Sequence, residues 1–118
     1  MNVKMTEHLH QARFVSWWRK QYPDDLIFAI PNGGYRGDRK TAMIVGSKLK
    51  AEGVLKGVVD LYIPCHKLWI EMKKDHTESP TKEQKEFMIY VESLGDHSFV
   101  AHSFEEAKEK ALLFLASK

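Results

Sequence analysis

Three residues whose side chains could bind a metal or move a proton lie near the middle of the sequence: Asp60, Glu71 and Lys73. The apolar residues around them predict a β-hairpin over residues 57–73, with Asp60 on the first strand and the other two on the second. Because side chains two positions apart on a strand share a face, Glu71 and Lys73 point in the same direction, away from the core.

Pairing within this hairpin would bring the two carboxylates together. A turn that is symmetric about Cys65 and His66 sets Asp60 directly opposite Glu71 in an antiparallel ladder. Two facing carboxylates repel each other, so a positive group is expected between them, and a divalent cation is the natural candidate. Carboxylate oxygens are hard ligands suited to Mg²⁺ or Mn²⁺, and Lys73 could hold an attacking water or stabilise charge on a phosphate.

The pattern of Asp60 followed by Glu71-x-Lys73 resembles the signature of the PD-(D/E)XK nuclease superfamily. Three further segments occur in the order typical of one branch, the VRR-NUC domain, and make the sequence similar to it. They are segments 31–34 (Pro-Asn-Gly-Gly), 48–61 and 79–84. The family usually has Pro before the aspartate, where this sequence has Val59. That position binds no metal, so the departure concerns the entry into the strand rather than the chemistry.

The resemblance implies a metal-dependent DNA endonuclease that uses Mg²⁺, with Mn²⁺ able to substitute, and no nucleotide cofactor. The implied metal ligands are Glu7, Asp60, Glu71 and the backbone carbonyl of Met72. The implied catalytic residues are Asp60, Glu71, Lys73 and Gln84. From the residues alone, Glu7 in the first turn of a helix would be an ordinary surface group that favours the helix dipole. Gln84 would likewise be a buried amide satisfied by backbone groups.

Minimal members of the family resemble homodimeric enzymes that cut branched DNA, including four-way (Holliday) junctions, and the compact form also resembles phage proteins. The resemblance therefore implies branched DNA and a second copy of the chain as partners. Two alternatives stay open. One is a DNA-binding module on the same fold whose site has decayed, and the other is a nuclease subunit that is inactive without a partner complex.

Positive charge is concentrated in the first half of the chain. Residues 1–59 carry ten Lys and Arg against five Asp and Glu, whereas residues 60–118 carry eight against eleven. Such a patch attracts a phosphate backbone without regard to sequence, although a solvated helix face is the simpler interpretation of the charges taken alone. The predicted nucleic-acid contacts are Asn32, Arg36, Arg39, Lys40, Lys48 and Lys50.

Length and composition favour one globular domain over residues 1–118. A hydrophobic fraction of 43% and a charged fraction of 29% argue against wholesale disorder. No apolar run approaches membrane-spanning length, which argues against a membrane partner. The lone Cys65 cannot form an internal disulfide, so the expected location is the reducing cytoplasm, or the host-cell cytoplasm if a phage encodes the protein.

The periodicities predict the order α-β-α-β-β-α-β-α, a small mixed β-sheet flanked by helices in an α/β restriction-endonuclease-like core. The first helix is expected over residues 6–21, with Leu9, Ala12, Val15 and Trp18 or Arg19 recurring along its apolar side. Ser79 is expected to cap the third helix, with Pro80 at its first position.

The six histidines show no ligand spacing with Cys65 or with one another. His8 and His10 lie two apart on a helix and therefore point in different directions. The sequence thus predicts neither a zinc site nor histidine-based catalysis.

Overall fold

The computed structural model describes residues 5–31 and 38–118. Within these ranges the elements follow the predicted order. They are α1 (Glu7–Gln21), β1 (Phe28–Ala29), α2 (Arg39–Ala51), β2 (Leu61–Ile63), β3 (Leu68–Met72), α3 (Lys82–Ser93), β4 (His97–Ala101) and α4 (Phe104–Ala116). The predicted mixed α/β architecture is confirmed. None of the helices in the described parts of the chain is both long and apolar enough to cross a membrane.

The four strands form one mixed sheet in the order β1-β2-β3-β4. β1 pairs antiparallel with β2 and β2 antiparallel with β3, whereas β3 and β4 are parallel and are connected through α3. Leu61 pairs with Ile70 and Ile63 with Leu68 across the central hairpin, which a short 3₁₀ helix closes. This register confirms the predicted symmetric turn and brings Asp60, one position before β2, next to Glu71.

The hydrophobic core lies between one face of the sheet and the helices α1 and α4. Phe14 and Trp18 come from α1, and Ala107 and Ala111 from α4. The strands contribute Leu61, Ile63, Leu68, Ile70, Met72 and Ala101, all with no measurable exposure. Their alternation along β2 and β3 leaves the other face of the hairpin to Glu71 and to the stacked rings of Tyr62 and Trp69, against which Phe87 of α3 packs.

Helix α1 begins where expected but buries a different side. Its N-cap Thr6 accepts a hydrogen bond from the Leu9 backbone N–H at 3.1 Å. Leu9 is nevertheless 40% exposed, and the buried residues are His10, Phe14 and Trp18. The predicted apolar side was therefore wrong at Leu9 and Ala12, which are exposed, whereas Val15 packs against the core and Trp18 is buried in it. The aromatic side chains occupy the core instead, and His10 Nδ1 accepts a hydrogen bond from the Phe104 backbone N–H at 2.9 Å, which satisfies its burial.

Helix α3 begins later than predicted, with Thr81 as its N-cap rather than Ser79. The Thr81 hydroxyl accepts from the Gln84 backbone N–H at 3.1 Å, and Gln84 Oε1 accepts from the Thr81 backbone N–H at 2.8 Å. This reciprocal capping box requires an acceptor side chain three residues after the cap. Ser79 would have Lys82 there, which only donates, so Thr81 is the better start and Pro80 precedes the cap.

Helix α2 begins after Asp38, which as the N-cap accepts from the Thr41 backbone N–H at 2.9 Å. None of the described side chains of α2 is fully buried, and Met43 and Ile44 are 66% and 61% exposed. Helix α4 begins after its N-cap Ser103, whose hydroxyl accepts from the Glu106 backbone N–H at 3.0 Å.

Candidate active site

The central hairpin holds Asp60 and Glu71 against each other's backbone. The Asp60 N–H donates to Glu71 Oε1 at 3.2 Å, and the Met72 N–H donates to Asp60 Oδ2 at 2.8 Å. Each carboxylate is therefore fixed by a main-chain donor of the opposite strand, at the end of the ladder where β2 begins. The predicted juxtaposition of the two acids is present.

Lys73 lies on the same side of β3 as Glu71, with Nζ at 3.1 Å from Glu71 Oε2. Glu71 is 1% exposed and Lys73 is 8% exposed, so this ion pair is buried. A buried pair requires further hydrogen bonds, because its charges are withdrawn from water.

Gln84 provides those hydrogen bonds from α3. Its Nε2 donates to Glu71 Oε2 at 2.8 Å, and its Oε1 accepts from Lys73 Nζ at 3.0 Å. The three side chains thus form a closed triangle in which the amide contacts both charges. Because Gln84 Oε1 also takes part in the capping box with Thr81, the start of α3 fixes the amide.

A glycine holds the chain that enters β2 against the start of α3. Gly57 has φ +97°, and a Cβ at this position would lie 2.7 Å from the Glu83 backbone carbon. Only glycine combines this left-handed conformation with so close an approach. Gly57 therefore helps to set the position of the helix turn that carries Gln84.

The environment of Glu71 favours its protonated form. Burial and the nearby Asp60 carboxylate raise the pKa of Glu71 from an ordinary 4.5 to about 7, although the Lys73 ammonium acts in the opposite direction. Glu7 responds to the same groups. Its pKa is raised by burial and by the charge of Asp60 and lowered by Lys73. Helix α1 therefore brings Glu7 close to the site, beside a cavity of about 330 Å³ lined by Met5, Thr6, Glu7 and Lys74.

The donor chemistry of Asp60 and Glu71 fits a hard divalent cation. Their mutual repulsion contributes to the raised pKa of Glu71, and a cation that replaces the proton relieves that repulsion. Carboxylate oxygens are the ligands that Mg²⁺ and Mn²⁺ prefer. In the parts of the chain that the structure describes, the groups of three potential ligands whose atoms lie within 4.8 Å of one another do not include Glu7, Asp60 or Glu71. Glu7 therefore lies farther from the other two acids than the third ligand of a compact metal site would.

The structure thus brings Asp60, Glu71, Lys73 and Gln84 into one hydrogen-bonded cluster, with Glu7 nearby. Their catalytic and metal-binding roles stay predictions, as does the role of the Met72 carbonyl. The predicted basic contacts on α2 are all exposed. They are Arg39, Lys40, Lys48 and Lys50. Asn32 and Arg36 lie outside the described residues.

No protein-family model matches the sequence, and no curated protein matches it either. A solved structure described as "VRR_NUC domain protein" superposes with a TM-score of 0.77 over 97% of this chain and 91% of the other, at 23% sequence identity. The chain has the VRR-NUC fold. The fold implied by the sequence resemblance is confirmed across nearly the whole chain, and at this identity the likeness concerns the fold.

Within this VRR-NUC fold, sequence reasoning missed several residues around the candidate site. Thr81 holds Gln84 through the capping box. The Thr-x-x-Gln spacing is typical of such a box and could have predicted this pair. A second cavity of about 570 Å³ lies along α1 and includes Arg19 and Lys20 among its lining residues. The sequence alone did not predict this cavity, because its lining joins α1 to Ala29 of β1, which lies farther along the chain.

The prediction of no zinc site rested on the spacing of the histidines along the sequence, whereas the fold brings potential ligands together from distant positions. Two groups of side chains bring their ligand atoms within 4.8 Å of one another. One consists of Asp25, Cys65 and His66, and the other of His76, His102 and Glu106. His76 lies far along the chain from His102 and Glu106, and Asp25 lies far from the adjacent Cys65 and His66, so spacing along the sequence could not reveal either group.

Proposed function

We propose that this protein is a metal-dependent DNA endonuclease that hydrolyses phosphodiester bonds. The observation that carries the proposal is the cluster in which Asp60 and Glu71 face each other while Gln84 joins Glu71 to Lys73. A solved VRR-NUC domain protein with the same fold supports it.

Each residue of the cluster has a distinct task in this proposal. A bound Mg²⁺ or Mn²⁺ would lower the pKa of a coordinated water and would neutralise charge on the scissile phosphate. Asp60 and Glu71 would hold the cation, and Glu7 and the Met72 carbonyl would complete the set of ligands. Lys73, with Nζ next to Glu71 Oε2, orients the attacking water or stabilises the negative charge that develops on the phosphate.

Gln84 is a positioning residue in the same scheme. Its amide fixes the Glu71 carboxylate and the Lys73 ammonium relative to each other before any substrate arrives. Such support keeps a ligand carboxylate in its productive orientation, and its loss usually weakens metal binding about 10- to 100-fold.

DNA is the proposed substrate, with branched molecules such as four-way junctions as the preferred form. The exposed cations of α2, together with Arg36 and Asn32, would contact the phosphate backbone, so binding should weaken with salt. A homodimer would present two sites to one junction and suit paired incisions. Three large apolar side chains on α3 and directly after it are exposed, and they support a surface for contact with a second copy of the chain. They are Ile89, Tyr90 and Leu94, with exposed fractions of 68%, 61% and 63%.

The deciding experiment is cleavage of labelled single-stranded, duplex, flap and four-way-junction DNA with Mg²⁺, Mn²⁺ or a chelator. Lys73→Met removes the buried ammonium at nearly constant volume, and Lys85→Met removes an exposed one from α3 as the matched control. We expect metal-dependent cutting, strongest on the junction, that is lost in Lys73→Met and retained in Lys85→Met. DNA binding without cutting under every metal would support the two alternatives, a decayed binding module or a subunit that needs its partner complex.

Light scattering on a sizing column tests the dimer separately. A mass of one chain at concentrations where junctions are cut would remove the dimer from the proposal and leave the hydrolysis intact.

A further inference from the structure

Three potential metal ligands meet on the side of the molecule where the loop after β3 contacts the start of α4. His76 lies in the loop between β3 and α3, His102 directly follows β4, and Glu106 lies in the first turn of α4. The ligand atoms of all three lie within 4.8 Å of one another. None of them belongs to the cluster around Glu71.

The contacts of Glu106 order this group. Its Oε1 lies 3.1 Å from His102 Nδ1, and its Oε2 lies 3.5 Å from His76 Nε2. The two imidazole rings stack with their centroids 4.5 Å apart. The carboxylate therefore lies between two imidazole nitrogens, and each of its oxygens is directed towards one of them.

The group combines a fixed part and an adjustable part. The side chains of His102 and Glu106 are 19% and 21% exposed, whereas that of His76 is 78% exposed. Lys110 Nζ also contacts Glu106 Oε1 at 3.1 Å, so one oxygen already has a cation as its partner. Glu106 Oε2 is directed towards His76 Nε2, and the exposed His76 side chain can move to close around an ion.

The other cluster is a weaker candidate. His66 packs edge-on against Trp18 and Phe114, which restricts its movement. Lost hydration and the Asp25 carboxylate raise the pKa of the Cys65 thiol, which disfavours the thiolate that binds metals.

We propose that His76, His102 and Glu106 form a binding site for a divalent transition metal ion of the zinc class. Two imidazoles and one carboxylate suit Zn²⁺, Co²⁺ or Ni²⁺ rather than Mg²⁺, and such a set leaves a fourth position for water. The ion would fasten the loop that begins at Lys73 to the first turn of α4. The site does not depend on the proposed nuclease activity.

Titration calorimetry with Zn²⁺ tests the proposal, on protein without a histidine tag and in excess Mg²⁺ to occupy sites that prefer hard cations. We expect one Zn²⁺ per chain in the wild-type protein. His76→Ala and His102→Ala should each weaken the affinity at least tenfold, whereas His97→Ala and Cys65→Ser should not. His76 is exposed, so its variant should fold normally, and circular dichroism checks this.

Amide hydrogen exchange provides a second reading that requires no activity. Zn²⁺ should slow exchange in the loop over residues 74–80 in the wild-type protein and leave it unchanged in His76→Ala. No stoichiometric Zn²⁺ binding would overturn the proposal. It would equally be overturned if Cys65→Ser alone abolished binding, because the ion would then lie in the other cluster.

Discussion

Gln84 donates a hydrogen bond from Nε2 to Glu71 Oε2 at 2.8 Å, while the oxygen of the same amide caps α3. One side chain thereby links the beginning of a helix to a buried carboxylate. The orientation of the candidate site consequently depends on a local feature of helix geometry, and variants of the cap can separate the two effects.

Thr81→Ala and Gln84→Ala should differ although both damage the same cap. Thr81→Ala removes the acceptor of the Gln84 N–H and should lower the free energy of unfolding by about 1 kcal/mol. Gln84→Ala also removes a donor from buried Glu71, which should cost a further 1–3 kcal/mol or so. Metal affinity should fall about 10- to 100-fold in Gln84→Ala and little in Thr81→Ala. Denaturant titration and Mn²⁺ binding measure both quantities, and equal losses of affinity would contradict the positioning role.

The metal-free protein should lose stability as the pH rises from about 4.5 to about 7. The folded state retains the Glu71 proton over this range, because its pKa is about 7, while the unfolded chain releases it near 4.5. The folded state therefore binds more protons, and the contribution of Glu71 to stability is complete below pH 4.5 and is lost as the pH passes 7. Denaturant titrations in chelator across this range measure the slope.

Glu71→Gln is the control for that titration, since an amide keeps the size of the side chain and does not ionise. The variant should show a flatter profile between pH 4.5 and 7. Mg²⁺ or Mn²⁺ should stabilise the wild-type protein at pH 8 and have much less effect on Glu71→Gln. An identical pH profile for both proteins would mean that Glu71 ionises at its ordinary pKa in spite of its burial.

Core variants should distinguish the observed packing of α1 from the expected one. Phe14 is fully buried against the sheet and Leu9 is 40% exposed. Phe14→Ala should therefore lower the free energy of unfolding by about 3–5 kcal/mol, and Leu9→Ala should lower it by much less than the usual ~2–5 kcal/mol of a buried leucine. Similar losses for both would indicate that the expected apolar side is the buried one.

The sequence predicts the central hairpin well because the pairing of its two strands depends on residues that are close together along the chain. Strand alternation and a symmetric turn define the pairing of Leu61 with Ile70, and that register brings Asp60 to Glu71. The position of Gln84 near the two acids was implied by family resemblance. The hydrogen-bonded triangle of Gln84 with Glu71 and Lys73 depends on where α3 begins. That start differs according to whether Ser79 or Thr81 is the N-cap.

Other features depend on packing between distant segments and could not be predicted from periodicity. The buried side of α1 is set by α4, against which His10 finds its hydrogen-bond donor at Phe104. The group of His76, His102 and Glu106 exists only because the loop after β3 meets the end of β4. Spacing in the sequence places His102 four residues before Glu106 but predicts neither the approach of His76 nor the contact of His10 with Phe104.

Three glycine-to-alanine variants test the close approach before β2. Gly57 and Gly53 have similar left-handed φ angles of +97° and +102°, but a Cβ would meet the Glu83 backbone at 2.7 Å only at Gly57. Gly53→Ala should therefore cost about 1 kcal/mol from the backbone conformation alone. Gly57→Ala should cost clearly more, because the start of α3 must also move, and it should weaken Mn²⁺ binding as Gln84 shifts. Gly46→Ala, in α2 with open space around it, should instead stabilise the protein by up to about 1 kcal/mol.

Thermal unfolding and Mn²⁺ titration of the three variants measure these effects. If Gly57→Ala matched Gly53→Ala in both, the contact with Glu83 would have no part in holding α3 over the candidate site.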